Sequence, residues 1–170
     1  VLAQDILATY QRKDSNNAED RASDEEALKF NRKLNILIAD DVPTNVFILE
    51  DMLRDAGHNV VSVNDGKYLV ERLKPMLTGE PNSEKFDIVL TDVSMPIMDG
   101  ISATFEVRKL EAQCKEHVHV PIIAITAHGF SEEHKKLMAV GVDSIAIKPI
   151  DPRTIGSAFK KLLGQAGTKA

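Results

Sequence analysis

Residues 86–100 read FDIVLTDVSMPIMDG: an apolar run that stops at Asp92, then a loop, then an Asp-Gly pair. An apolar run that does not alternate with polar residues suits a strand buried on both faces, as in a parallel sheet covered by helices. The same unit recurs on either side. Upstream, Ile36 to Ala39 runs into Asp40-Asp41, and Val60 to Val63 is followed by Asp65-Gly66. Downstream, Pro121 to Ile125 runs into Thr126, and Ser144 to Ile147 runs into Lys148-Pro149.

Helical patterns separate these runs. Pro43-Thr44 opens the first, where a missing N–H costs nothing. Ile48, Leu49, Met52, Leu53 and Ala56 share its inward face, and Gly57 ends it. Leu69, Val70 and Leu73 mark a second helix that is expected to stop near Pro75, with residues 76–85 as a long polar loop. Asp99-Gly100 starts a third, carrying Ile101, Phe105 and Leu110. Ser131-Glu132-Glu133 caps a fourth, closed by Gly141, and Asp151-Pro152 begins the last, with Ile155, Phe159, Leu162 and Leu163. Strand and helix alternate five times, so the expected class is α/β: a five-stranded parallel sheet, doubly wound as (βα)5.

The chain divides into 1–33, 34–164 and 165–170. Leu2, Ile6, Leu7 and Tyr10 fit one face of a short N-terminal helix. Residues 14–26 hold six acids, one base and no large apolar side chain, and read as an acidic linker. Residues 34–164 form the domain, and 165–170 a flexible tail. At 170 residues and 43% hydrophobic, the chain can bury a core without staples. Its single cysteine, Cys114, excludes an internal disulfide and a cysteine zinc site, and fits a reducing, cytoplasmic setting. The net charge of −5, the absence of Trp and the lack of a dense basic stretch argue against nucleic-acid binding. No apolar run approaches the roughly 18 residues of a membrane span, and VLAQDILATYQRKD has no secretory-signal pattern. A chain starting at Val1 reads as an excised piece, whose parent is free to be membrane-attached.

In open α/β sheets the ligand sits outside the carboxyl ends of the strands. Those ends carry Asp40-Asp41, Asp92, Thr126 and Lys148. Three carboxylates there would repel one another unless a divalent cation and the Lys148 ammonium intervene. Oxygen ligation without imidazole suits Mg²⁺, with Mn²⁺ as a substitute. Mg²⁺, a lysine and a hydroxyl are charge stabilisers for a phosphoryl group. Neither GxxxxGK[ST] nor GxGxxG occurs, so the site is not built for a nucleotide. A carboxylate can be the nucleophile, and Asp92, framed by the others, is the candidate.

These motifs together resemble the receiver domain of two-component response regulators, over residues 34–164: Asp40-Asp41, DVSMPIMDG at 92–100, Thr126-Ala127 and Lys148-Pro149. The resemblance implies a flavodoxin-like strand order 2-1-3-4-5. It implies Asp92 as phosphoacceptor, with Mg²⁺ on Asp41 directly, on Asp40 largely through water, on Asp92, and on the backbone carbonyl of Ser94. It implies that Thr126 bonds the phosphoryl oxygen and moves on activation, that Lys148 pairs with the phosphoryl, and that Lys148–Pro149 is cis. ADDVPTN at 39–45 and ITAHG at 125–129 are similar to the receivers of hybrid sensor histidine kinases. The implied function is a phosphorelay module that takes a phosphoryl group from a histidine kinase domain or a histidine phosphotransfer protein and switches conformation. The resemblance also implies a self-phosphorylating signalling receiver, not a turnover enzyme. Phe47, opposite the inward stripe of the first helix, is the expected docking anchor for that partner.

Three features depart from the family pattern. Ile145 stands where receivers carry a switching Tyr or Phe, and the segments 76–85 and 111–120 are longer than usual. Alone, an acidic pair after a strand is often a helix cap, and Asp99-Gly100 a turn. Of the histidines, His134 reads as a surface residue, His117 and His119 as a weak metal pair, and His128 as a neighbour of the phosphoryl pocket. Two other functions compete. A phosphatase of the haloacid dehalogenase type needs a second Asp two residues after the nucleophile, where this chain has Ser94. A receiver-like interaction module that takes no phosphate is favoured only by Ile145.

Overall fold

The computed structural model describes residues 18–129 and 132–164. The elements are α1 (Ala18–Leu28), β1 (Asn35–Ala39), α2 (Pro43–Asp55), β2 (Asn59–Val63), α3 (Gly66–Leu77), β3 (Ile88–Asp92), α4 (Gly100–Gln113), β4 (Ile122–Thr126), α5 (Glu132–Val140), β5 (Ser144–Ile147) and α6 (Pro152–Leu163). All strands are parallel, in the order β2-β1-β3-β4-β5. This is the expected doubly wound sheet.

The apolar runs have a hidden period of two. Leu37, Ala39, Val89, Ile122 and Ala124 face one layer, packed with Leu69 and Leu73 of α3, Val107 of α4 and Leu137 of α5. Ile36, Ile38, Ile88, Leu90, Ile123 and Ile125 face the other, against Leu49 and Leu53 of α2 and Ile155 and Phe159 of α6. Successive side chains point to opposite faces, and both faces are covered, so the interiors of the middle strands are apolar and their buried polar residues, Thr91, Asp92 and Thr126, stand at the carboxyl ends. Burying a leucine or isoleucine contributes about 1.5–3 kcal/mol, and this double layer is the main stabilising term.

Two expectations change. Residues 18–26, read as part of the acidic linker, belong to helix α1. Glu19 and Asp20 favour its first turn, and no glycine, proline or β-branched residue interrupts it. Docking supplies the rest: Leu28 is 1% exposed within the α2–α6 layer. A Cβ on Gly156 of α6 would lie 1.9 Å from the Ala27 carbonyl oxygen, so only glycine lets the two backbones approach this closely. His58 Nε2 lies 2.8 Å from the Leu28 carbonyl oxygen, and the Leu34 amide donates to its Nδ1 at 3.2 Å. The imidazole therefore ties the end of α1 to the start of β1. The second change is at Pro75, which lies inside α3 rather than ending it. The missing N–H costs one helical bond, but Leu73, Met76 and Leu77 are all buried and carry the helix to Thr78. Segment 111–120 is tied down. Glu111 accepts from the Val120 amide at 2.8 Å, and Arg108 binds Glu111 and Asp143, each at 2.7 Å. The apolar face proposed for residues 2–10, the Ser131 cap and the tail 165–170 lie outside the described residues. No helix among the described residues is long and apolar enough to cross a membrane.

Candidate functional site

Parallel register brings the strand ends to one edge. Asp40 follows β1 directly, Asp92 ends β3, Thr126 ends β4 and Lys148 follows β5. Asp92 pairs in register with Ile125, and Thr126 with Ile147, so the four groups share one rim. Carboxylate oxygens of Asp40, Asp41 and Asp92 all lie within 4.8 Å of one another. Lys148 Nζ stands 3.1 Å from Asp92 Oδ1.

Asp40 and Asp92 are 4% and 7% exposed, and Asp41 is more accessible than either. Burial pushes the Asp92 carboxyl above the usual carboxylate range; Lys148 and the Val93 amide oppose the shift, and Asp41 adds to it. Asp40 is also raised, mainly by burial, against the Val42 amide, with Asp92 adding repulsion and Lys148 and Asn45 relieving it. The Val42 amide donates to Asp40 Oδ1 at 2.8 Å and Asn45 Nδ2 to Oδ2 at 3.1 Å, so this carboxylate is oriented before any metal arrives. Three converging oxygen donors without imidazole or sulfur fit Mg²⁺. Among the described residues this is the one cluster of three such groups at metal-binding spacing.

Two glycines brace the loop after Asp92; the sequence reading placed both at helix starts but gave them no part in this loop. A Cβ on Gly100 would lie 2.4 Å from the Asp92 carbonyl oxygen, and one on Gly66 would lie 2.5 Å from that of Met98. The Gly100 amide donates to Val93 and the Gly66 amide to Met98, at 2.8 and 2.9 Å. Asp99 and Asp65 cap α4 and α3 through the Ser102 and Tyr68 amides, so each Asp-Gly pair serves as helix cap and loop anchor together. The signal was present as two Asp-Gly pairs, each followed by a helix. Ser94 is exposed in the loop between these anchors.

Thr126 is buried. Its Oγ1 donates to Glu133 Oε1 of α5 at 2.5 Å and accepts from the His128 amide at 3.2 Å. The Lys148 amide donates to the Thr126 carbonyl at 2.8 Å, and the Lys148–Pro149 bond is cis. Ile145 is half-buried against the core layer of α3, α4 and α5. His119 lies between Glu111 and Asp143, at 3.3 and 2.8 Å, and is engaged with those carboxylates. His134 is half-buried on α5. Phe47 is half exposed and lines an open cleft of about 440 Å³ beside Asp41, with Val46, Glu50 and Tyr68.

A buried carboxylate, two further carboxylates, a lysine and a hydroxyl at the carboxyl edge of a doubly wound sheet are the arrangement of a receiver-type signalling domain. The profile of the response regulator receiver domain matches residues 36–160, and the chain belongs to that family. It is a receiver module of two-component phosphorelay. The sensor protein GacS of Pseudomonas syringae pv. syringae is 36% identical over 131 residues, covering 77% of this chain and 14% of that protein. The sensor histidine kinase RcsC of Escherichia coli is 33% identical over 150 residues, covering 88% of this chain and 14% of that protein. The chain thus spans about a seventh of the length of these hybrid-kinase relatives. Among solved structures, the receiver domain of sensor histidine kinase PA1611 from Pseudomonas aeruginosa, with magnesium in its active-site cleft, aligns with a TM-score of 0.64 at 27% identity, over 78% of this chain and 99% of that one. The receiver domain of the histidine kinase CKI1 from Arabidopsis thaliana, complexed with Mg²⁺ and BeF3−, aligns with a TM-score of 0.66 at 25% identity, over 84% and 95%.

Proposed function

We propose that Asp92 is the phosphoacceptor and that Asp40, Asp41, Asp92 and the Ser94 backbone carbonyl hold Mg²⁺. The observation that carries this reading is the convergence of three carboxylates on one ammonium-bearing rim. An Asp92 oxygen attacks the phosphorus of a phosphohistidine; the P–O bond forms, the P–N bond breaks, and its electron pair stays on the imidazole nitrogen. Mg²⁺, when bound, neutralises charge on the transferring oxygens. Lys148 pairs with a phosphoryl oxygen and Thr126 donates its hydroxyl to another, which draws both toward the rim. Their bonds to Asp92 and Glu133 are those of the resting state.

The donor is a histidine kinase domain or a histidine phosphotransfer protein, in a parent chain of the hybrid-kinase type acting in the cytoplasm. Phe47 is its anchor: it lines the cleft that borders Asp41, within reach of a partner whose histidine must approach Asp92. The domain is a signalling receiver that turns over one phosphoryl group, not a multiple-turnover enzyme. Incubation with a small-molecule phosphodonor and Mg²⁺, followed by intact mass, tests the assignment. Wild type gains one phosphoryl group and Asp92→Asn gains none. Equal uptake by the variant refutes it.

A further inference from the structure

The family's usual readout is an aromatic side chain on the last strand, and here that position is Ile145, which packs into the core beside Ala124. An aliphatic side chain packed there offers no ring to rotate when Thr126 moves. Another group is already attached to Thr126. Glu133, in the first turn of α5, accepts its hydroxyl at 2.5 Å, a charge-assisted bond at the short end of the range. A threonine has a single hydroxyl proton, so Thr126 donates to Glu133 or to a phosphoryl oxygen on Asp92, and not to both.

We propose that Glu133 is a positioning residue that holds Thr126 in the resting state, and that its release on phosphorylation frees the start of α5 as the domain's readout. This rests on Asp92 as phosphoacceptor. Two further contacts make the coupling local. The His128 amide donates to the same oxygen of Thr126, so the chain after β4 follows the hydroxyl. A Cβ on Gly129 would lie 2.8 Å from Ile147 Cδ1, so that chain lies directly on β5 beside the partner residue of Thr126 in register. A shift of Thr126 toward Asp92 therefore removes the acceptor load from Glu133, and α5 loses the tie that joins its first turn to the sheet. The freed carboxylate moves away from a phosphoryl group of the same charge, so repulsion works in the same direction as the lost bond.

The test is a double-mutant cycle on the full chain with Glu133→Ala, Thr126→Val and the pair, reading the rate of phosphorylation by a small-molecule acyl phosphate with Mg²⁺. Removing one charge-assisted bond that favours the resting state should speed Glu133→Ala about tenfold. In the Thr126→Val background the same substitution should change the rate by less than about twofold, because the hydroxyl it restrains is gone. Glu133→Gln keeps an acceptor without the charge, should fall between wild type and alanine, and serves if the alanine variant does not fold. Amide exchange over 132–140 gives an independent reading: phosphorylated wild type should exchange faster there than unphosphorylated wild type, and Glu133→Ala should match the faster profile without phosphate. A wild-type rate in both Glu133 variants, or an equal effect with and without the Thr126 hydroxyl, overturns the proposal while leaving Asp92 as phosphoacceptor. Phosphate uptake by Asp92→Asn overturns both.

Discussion

Replacing Asp92 with Asn should make the metal-free protein more stable. Asp40 and Asp41 place oxygens within 4.8 Å of Asp92. At an effective dielectric constant of about 20, each such pair costs about 3.5 kcal/mol, so the two together cost about 7 kcal/mol. Lys148, 3.1 Å away, offsets about 5 kcal/mol of this. The remainder, about 2 kcal/mol, opposes an ionised Asp92, and burial works in the same direction. An amide removes both terms, and Lys148 still lies near Asp40. For a chain of this length, about 2 kcal/mol corresponds to a rise in Tm of about 4–8 °C. The pH dependence follows from the raised folded-state pKa. Folding binds protons at Asp92 and Asp40, so wild type loses stability as pH rises from the unfolded carboxylate value through the raised folded value. The advantage of Asp92→Asn is therefore full only above the raised folded value and shrinks as pH falls back toward the unfolded carboxylate value. Mg²⁺ reverses the order: at about 100 times its Kd it stabilises wild type by about 2.7 kcal/mol, and the variant, short of a ligand, by less. Thermal melts in EDTA and in Mg²⁺ across this pH range read all three effects. A variant less stable than wild type in EDTA, or one that gains as much from Mg²⁺, refutes the reasoning.

Asp41→Asn should weaken Mg²⁺ binding at least tenfold in a calorimetric titration while leaving the Tm in EDTA unchanged or higher, because a neutral oxygen replaces an anionic ligand at a crowded anionic site. Chain 34–170 should fold, but with about 2–4 kcal/mol less stability than the full chain, since it loses the buried Leu28 and the His58 bond to its carbonyl; urea melts with equal midpoints would count against a structural role for α1. Gly100→Ala should destabilise the fold and slow phosphorylation together, because its Cβ displaces the Asp92 backbone; retention of both Tm and rate would show the loop to be slack. Phe47→Ala should slow transfer from the cognate phosphohistidine protein, with about 1–3 kcal/mol lost in binding, yet leave uptake from a small-molecule donor intact; an unchanged partner rate at sub-saturating concentration removes Phe47 from the docking surface.

Much of this was legible in the residues alone. A run such as Ile88–Leu90, apolar at every position, is compatible only with burial on both faces, so the parallel sheet and its covering helices follow from local composition. The ends of those runs carry the polar groups, and a parallel sheet sends all such ends to one edge, so Asp40, Asp41, Asp92, Thr126 and Lys148 could be grouped before any coordinate was known. What depended on the tertiary structure involves partners distant in sequence. Residues 18–28 carry too little apolar surface to be read as a helix, and their order comes from a groove formed by α2 and α6, with Gly156 opposite Ala27. Pro75 reads as a helix end, yet Met76 and Leu77 gain more from burial than the one lost hydrogen bond costs. Arg108, Glu111 and Asp143 look like solvated charges until α4, β4 and the start of β5 bring them together. The bond between Thr126 and Glu133 belongs to the same class. Local periodicity determines which faces are apolar. The polar groups that meet depend on how the packed layers are set against one another, and a directional contact of 2.5 Å is decided only when packing has placed both side chains.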